Sequence, residues 1–183
     1  MRTDNIIASL VNTERYSEEL ETVPHIKVHN LGLSIVFRTI IVTPDGKVSS
    51  DIIDNNMVYK LKLTNIEELY NLAIDNIIKT MPIVIESLGN NIYVMSNEKG
   101  LFGAVGMLIN KGLKSLADIY TRSLFIIPSS IHEVYILPDI GQDKDALKSI
   151  LEVGNNHIVN EQDFLSDSIY YYDYNKKIIV IVA

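Results

Sequence analysis

The stretch from Gly32 to Ile53 reads GLSIVFRTIIVTPDGKVSSDII. Residues 32–43 alternate and are rich in β-branched types, so they predict one long strand. Pro44-Asp45-Gly46-Lys47 predicts a tight turn, because proline presets φ at the first corner and Asp-Gly tolerates the left-handed conformation. Val48 to Ile53 then returns as the hairpin partner. A strand that doubles back so soon pairs antiparallel, since a parallel return needs a long crossover.

Outward from this hairpin the same grammar recurs. Ile6 to Val11 predicts a short strand, and Asn12-Thr13 a cap for a helix over roughly 13–22 that stops before Pro24. Thr64-Asn65-Ile66-Glu67 has the form of a capping box, followed by a stripe of Leu69, Leu72, Ala73, Ile77 and Ile78 that ends near Met81, before Pro82. Ile92 to Ser96 predicts a strand, Asn97 to Gly100 a turn, Leu101 to Leu108 a second apolar run, and Lys111 to Arg122 a helix. Leu124 to Pro128 and His132 to Leu137 predict strands around a bend at Ser129-Ser130, and Asp143 to Val153 a helix. Ile169 to Asp173 and Ile178 to Val182 close the chain as a hairpin through Tyr174-Asn175-Lys176-Lys177. The expectation is an α+β fold, mostly antiparallel sheet built from hairpins alternating with amphipathic helices, in a single domain over 1–183 with no internal duplication.

Composition narrows the function classes. The 183 residues carry 16 Lys plus Arg against 23 Asp plus Glu, a formal net charge of −7, and are 47% apolar. That is enough to build a core and argues against intrinsic disorder. An acidic chain with a pI near 5.0 is a poor coat for bare phosphate backbone. There are no cysteines, which removes disulfides, thiolate metal sites and cysteine nucleophiles together. No stretch approaches the roughly 18 apolar residues that span a bilayer, and Ile6 to Val11 is too short for a signal segment. The expected location is the cytoplasm, with no membrane partner.

Several polar groups stand out against apolar surroundings. Ser129-Ser130-Ile131-His132-Glu133 sets a hydroxyl, an imidazole and a carboxylate close together, and His132 has the chemistry of a general base. In a strand, however, His132 and Glu133 point to opposite faces, and no G-x-S-x-G elbow is present; the plain alternative is a hairpin base with a satisfied histidine. Asn12-Thr13-Glu14-Arg15 is either a helix start or a place where Arg15 anchors a phosphate or carboxylate. His132, Glu133 and Arg15 are the catalytic candidates. Tyr170, Tyr171, Tyr172 and Tyr174, beside Lys176 and Lys177, suggest a partner- or RNA-binding strand by base stacking, against the alternative of cross-strand aromatic packing. His25 and His29 have i, i+4 spacing but follow Pro24 into a strand, and Gly100, Gly103 and Gly106 lack the Lys-Ser/Thr of a phosphate loop. Neither a metal site nor a cofactor is expected.

The words LVNTER (Leu10 to Arg15), EELETVPH (Glu18 to His25), EELYNLA (Glu67 to Ala73), FIIPSSIHEVYILP (Phe125 to Pro138) and LSDSIYYYD (Leu165 to Asp173) run in order across most of the chain. In them the chain resembles an uncharacterised bacterial family, a domain of unknown function met on mobile elements of gut bacteria. Beside that family the chain is expected to be a shortened version, and Asn30-Leu31 stands where the family words have Asp-Leu. The resemblance brings no established reaction. It does imply a mobile-element setting, where small acidic proteins include inhibitors of host defence. An acidic inhibitor suits the basic channel in which a type II CRISPR effector holds its guide RNA heteroduplex. The sharpest expectation is therefore an anti-CRISPR protein acting on such an effector or its guide RNA. The alternatives are an RNA-processing enzyme that truncates guide RNA without a metal, and a cytosolic accessory domain of a mobile element.

Overall fold

A computed structural model describes residues 3–43, 48–109 and 111–183 of the chain. The first sheet contains β1 (Ile6–Asn12), β2 (His25–Val28), β3 (Leu33–Val42) and β4 (Val48–Ile52), all pairing antiparallel with β3. β1 runs along one edge of β3, with Leu10 opposite Ile35. The other edge is shared end to end: β2 lies against Leu33 to Val36 and β4 against Arg38 to Val42. The turn read at Pro44-Asp45-Gly46-Lys47 lies outside the described residues.

The second sheet has six strands, β5 (Ile83–Gly89), β6 (Ile92–Asn97), β7 (Leu124–Pro128), β8 (Val134–Pro138), β9 (Tyr170–Asp173) and β10 (Ile178–Ile181). Their order across the sheet is β10-β9-β7-β8-β6-β5, and every neighbouring pair is antiparallel. The helices are α1 (Ser17–Leu20), α2 (Asn55–Lys60), α3 (Ile66–Thr80), α4 (Gly106–Ile109), α5 (Gly112–Tyr120) and α6 (Lys144–His157). The molecule is α+β with antiparallel sheets, as its alternation predicts.

Four local expectations change. The helix expected over 13–22 shrinks to α1, because the Asn12 side chain bends the chain first. The capping box moves on by one residue. Asn65 caps α3 by accepting from the Glu68 amide at 2.9 Å, while the Glu68 carboxylate reaches back to the Thr64 amide at 2.8 Å. The partner of β6 is β5, not the apolar run 101–108; Asn90 and Asn91 both take positive φ (51° and 60°), as a two-residue hairpin loop requires. Finally, His132 and Glu133 precede β8 rather than belonging to a strand.

One core joins both sheets. Ile6, Leu10 and Phe37 of the first and Met95, Leu124, Ile126 and Ile136 of the second share a buried cluster with Leu69, Ala73 and Ile77 of α3 and Leu113 and Ala117 of α5. β7 is buried along its whole length because its alternate side chains, Phe125 and Ile127, meet Leu147 and Leu151 of α6 on the other face. A small third cluster sets Leu20 of α1 against Val11 and Val36. Tyr170 is fully buried, and its hydroxyl donates to the Leu31 carbonyl at 3.0 Å, tying the second sheet to the β2–β3 turn.

Residues 101–109 fold as a short 3-10 turn (Gly103–Val105) running into α4 because their backbone lies directly on β6. A Cβ on Gly103 would sit 2.6 Å from the Ser96 Cα and the Asn97 amide nitrogen, both backbone atoms that do not yield. Gly103→Ala is expected to destabilise the protein by about 1–3 kcal/mol, read as a lower urea midpoint. Gly154→Ala, at a helical position open to solvent, should instead raise it by up to about 1 kcal/mol.

Burial pushes the Tyr170 phenol up to about 12. The fold therefore holds the neutral form, whereas the unfolded chain ionises near its ordinary value of about 10. This contribution, about 2–3 kcal/mol, is complete below about pH 10 and is lost as pH rises through about 12. Urea unfolding between about pH 9 and 11.5 should show a steeper loss for the native chain than for Tyr170→Phe.

Candidate functional site

Asn12 ends β1 and organises the turn that follows. Its Oδ1 accepts from the amides of Glu14 and Arg15, both at 3.1 Å, in the manner of an Asx turn. Its Nδ2 donates to the Leu165 carbonyl at 3.1 Å, while Thr13 Oγ1 and Ser34 Oγ share a hydrogen bond of 2.9 Å. So placed, Arg15 lies flat on Phe164, its guanidinium carbon 3.6 Å from the ring centroid. Phe164 is buried and Arg15 exposed. An open groove of about 680 Å³ begins there, lined by Arg15, Tyr16, Asn160, Glu161 and Gln162.

His132 is tied to Asp163, the residue that follows Gln162 of the groove wall. Its Nδ1 accepts from the Phe102 amide at 3.0 Å, so the ring proton sits on Nε2 and is donated to Asp163 Oδ1 at 3.2 Å. Asp163 is fixed in turn, its carbonyl accepting from the Ile131 amide at 2.8 Å and its Oδ2 from Asn160 Nδ2 at 3.2 Å. The Phe102 ring packs on the imidazole with centroids 5.1 Å apart. Phe102 itself has φ 58° and ψ 25°, a left-handed conformation that bulky residues rarely adopt. It also carries a cation, since the Arg38 guanidinium carbon is 4.8 Å from its centroid.

Arg38 is buried, 8% exposed, and donates from Nε to Ser9 Oγ at 2.9 Å. Burial lowers its pKa from the ordinary value, with Tyr16 and Asp51 opposing, and an arginine so shifted keeps its charge. Among the described residues no carboxylate forms an ion pair with Arg15 or Arg38. Arg15 and His132, read from the sequence as separate candidates, thus meet consecutive residues, Phe164 and Asp163, at the end of the 3-10 turn Glu161–Asp163.

The chemistry of this corner follows from the hydrogen bonds. A general base needs a free ring nitrogen, and both nitrogens of His132 are engaged. Glu133 does not orient the imidazole. Its carbonyl accepts from the Ser129 and Ser130 amides, its carboxylate raises the Tyr135 phenol behind the larger effect of burial, and Asp163 takes the orienting place. Asp163, Phe164, Phe102 and Tyr16 were not singled out in the sequence. Arg38 had a readable signal, a charge inside the apolar run LSIVFRTIIV.

The tyrosine strand is largely core. Tyr170 and Tyr172 are buried, and Tyr171 packs edge-on against Phe125 and donates its hydroxyl to Asp139 at 2.6 Å. Burial, then Asp139, raises the Tyr171 phenol. Tyr174 keeps its ring under Lys177 Nζ, 3.7 Å from the centroid. Lys177 lies 3.7 Å from Asp118, and Lys176 lies 3.8 Å from Asp173, whose pKa is lowered chiefly by the Lys176 amide. Of the four rings, those of Tyr171 and Tyr174 are half-buried and the other two buried. His25 opens β2 and His29 follows it, so the two are not on a helix. Among the described residues no group of three or more His, Asp or Glu is placed to hold a metal, and no helix is long and apolar enough to cross a membrane.

A second concavity, about 490 Å³, is apolar and lies between α6 and the β7–β8 corner, lined in part by Ile127, Tyr135, Ile150, Val153 and Ile158. It holds no ionisable group apart from the Tyr135 phenol.

If His132 serves the fold, His132→Ala strands the Phe102 amide and the Asp163 carboxylate. The expected loss is about 1–3 kcal/mol, measured by urea unfolding and exceeding that of Glu133→Ala.

No curated protein and no solved structure matches the chain significantly. One family model does, a family of unknown function (DUF5688), in two overlapping matches over residues 2–92 and 86–174. Together they span nearly all of the structure described above, from β1 through β9. The chain belongs to this family of unknown function, DUF5688.

Proposed function

We propose that the protein is a binding module, an anti-CRISPR inhibitor that engages a type II CRISPR effector through the effector's basic nucleic-acid channel. The observation that carries this reading is an unneutralised acidic surface. α1 turns only Leu20 inward, and Glu14, Glu18, Glu19 and Glu21 are exposed. Among the described residues none of the four forms an ion pair with a lysine or arginine. Asn55 Nδ2 donates to the Thr22 carbonyl at 2.9 Å and so brings the exposed Asp54 to the same end of the molecule. Carboxylates in such an array repel bare nucleic acid and complement a cationic channel, raising both the association rate and the selectivity for it. The engaged nitrogens of His132 and the buried tyrosines favour binding over RNA cleavage as the mode of action.

The test is a target-cleavage assay with a type II effector loaded with its guide. Added protein should slow cleavage, and binding should weaken as salt rises. Reversal of Glu18, Glu19 and Glu21 to lysine should weaken binding by about tenfold or more without changing the fold. Full-speed cleavage with no binding would overturn the proposal, and shortened guide RNA would replace it with the RNA-processing reading.

A further inference from the structure

We propose that the groove at Arg15 is a carboxylate-recognition site that accepts one aspartate or glutamate side chain of the protein partner. The guanidinium is already oriented: Phe164 covers one of its faces at 3.6 Å, and the turn that carries it is pinned by Asn12. Stacking of this kind leaves the in-plane N–H donors at the edge of the group, where a carboxylate binds two of them side by side. None of those donors makes a hydrogen bond or ion pair with a described residue, although Glu14 adjoins Arg15 in the chain and Glu161 lines the same groove. Tyr16 borders the opening and also interacts with the buried Arg38, whose charge Asp51 favours from a distance. One positive charge, that of Arg15, therefore lines this concavity in a chain whose net charge is −7.

The same surroundings select the ligand. Glu161 in the wall, Glu14 beside it and the net charge disfavour a dianion such as phosphate and disfavour nucleic acid more strongly. A single carboxylate carries one charge and matches the planar fork. This deepens the binding-module reading and rests on it for the partner being a protein. An arginine inside an acidic surface accepts only a basic partner that offers an acidic residue at that point, which fixes the register of docking.

The test uses the free protein and no effector, so its failure is separate from failure of the inhibitor reading. The chain has four arginines, and their Nε–H signals in a 15N-labelled sample are few. The signal lost in Arg15→Lys identifies Arg15. Titration with N-acetyl-aspartate N-methylamide should move that signal saturably, at concentrations at least about tenfold below those at which sodium chloride does so, and should leave Arg122 in place. Phe164→Leu should weaken the response, while Arg15→Lys should abolish saturable protection of the Asn160 and Gln162 side-chain amides. A shift that follows ionic strength alone would overturn the proposal. So would a response to inorganic phosphate at lower concentration than to the blocked aspartate.

Discussion

The Phe102 amide is forced to find an acceptor, and much of the molecule is arranged around that need. The segment after β6 lies backbone to backbone on Ser96 and Asn97, close enough that only glycine fits at 103. Phe102 just before it takes a left-handed conformation, and its N–H has no strand partner but a histidine nitrogen. A partly buried donor without a partner costs as much as a lost hydrogen bond. His132 Nδ1 meets that donor, Asp163 then fixes the other side of the ring, and Phe164 next to Asp163 becomes the seat for Arg15. Packing at one glycine therefore propagates to the surface in four contacts.

This sequence of contacts engages both ring nitrogens of the most suggestive residue of the chain. A histidine beside serines and a carboxylate has the composition of a catalytic site. Its hydrogen bonds are those of a structural post, with one nitrogen accepting from backbone and the other donating to a carboxylate. Arg15 is exposed at this corner, whereas the His132 ring is half-buried behind its two hydrogen bonds.

Much of the fold was legible because its signals are local. The alternation in Leu33–Val42, the stripe along Ile66–Thr80 and the lysine-bearing turn between β9 and β10 each depend on neighbouring residues. β5 was harder to see, since Asn90-Asn91 is a weaker hairpin signal than Asn-Gly and the strand opens directly after a proline. The run 101–108 is apolar enough for a strand, and only its contact with β6 makes it helical. For the site, Arg15 and His132 were visible as polar residues in apolar settings, but their partners were not. Asp163 lies 31 residues from His132, and no periodicity connects the two.

The bonds that close this corner span almost the whole chain. Asn12 reaches Leu165 across 153 residues, and Tyr170 reaches Leu31 across 139. Contacts so distant in sequence carry a loop-closure cost and can form only when both segments are present. On a ribosome, the first sheet emerges long before the segment that supplies Leu165, Phe164 and Tyr170. The arginine seat therefore needs both ends of the sequence, and a nascent copy or one clipped before Phe164 would display the acidic α1 surface without the seat for Arg15 beside it.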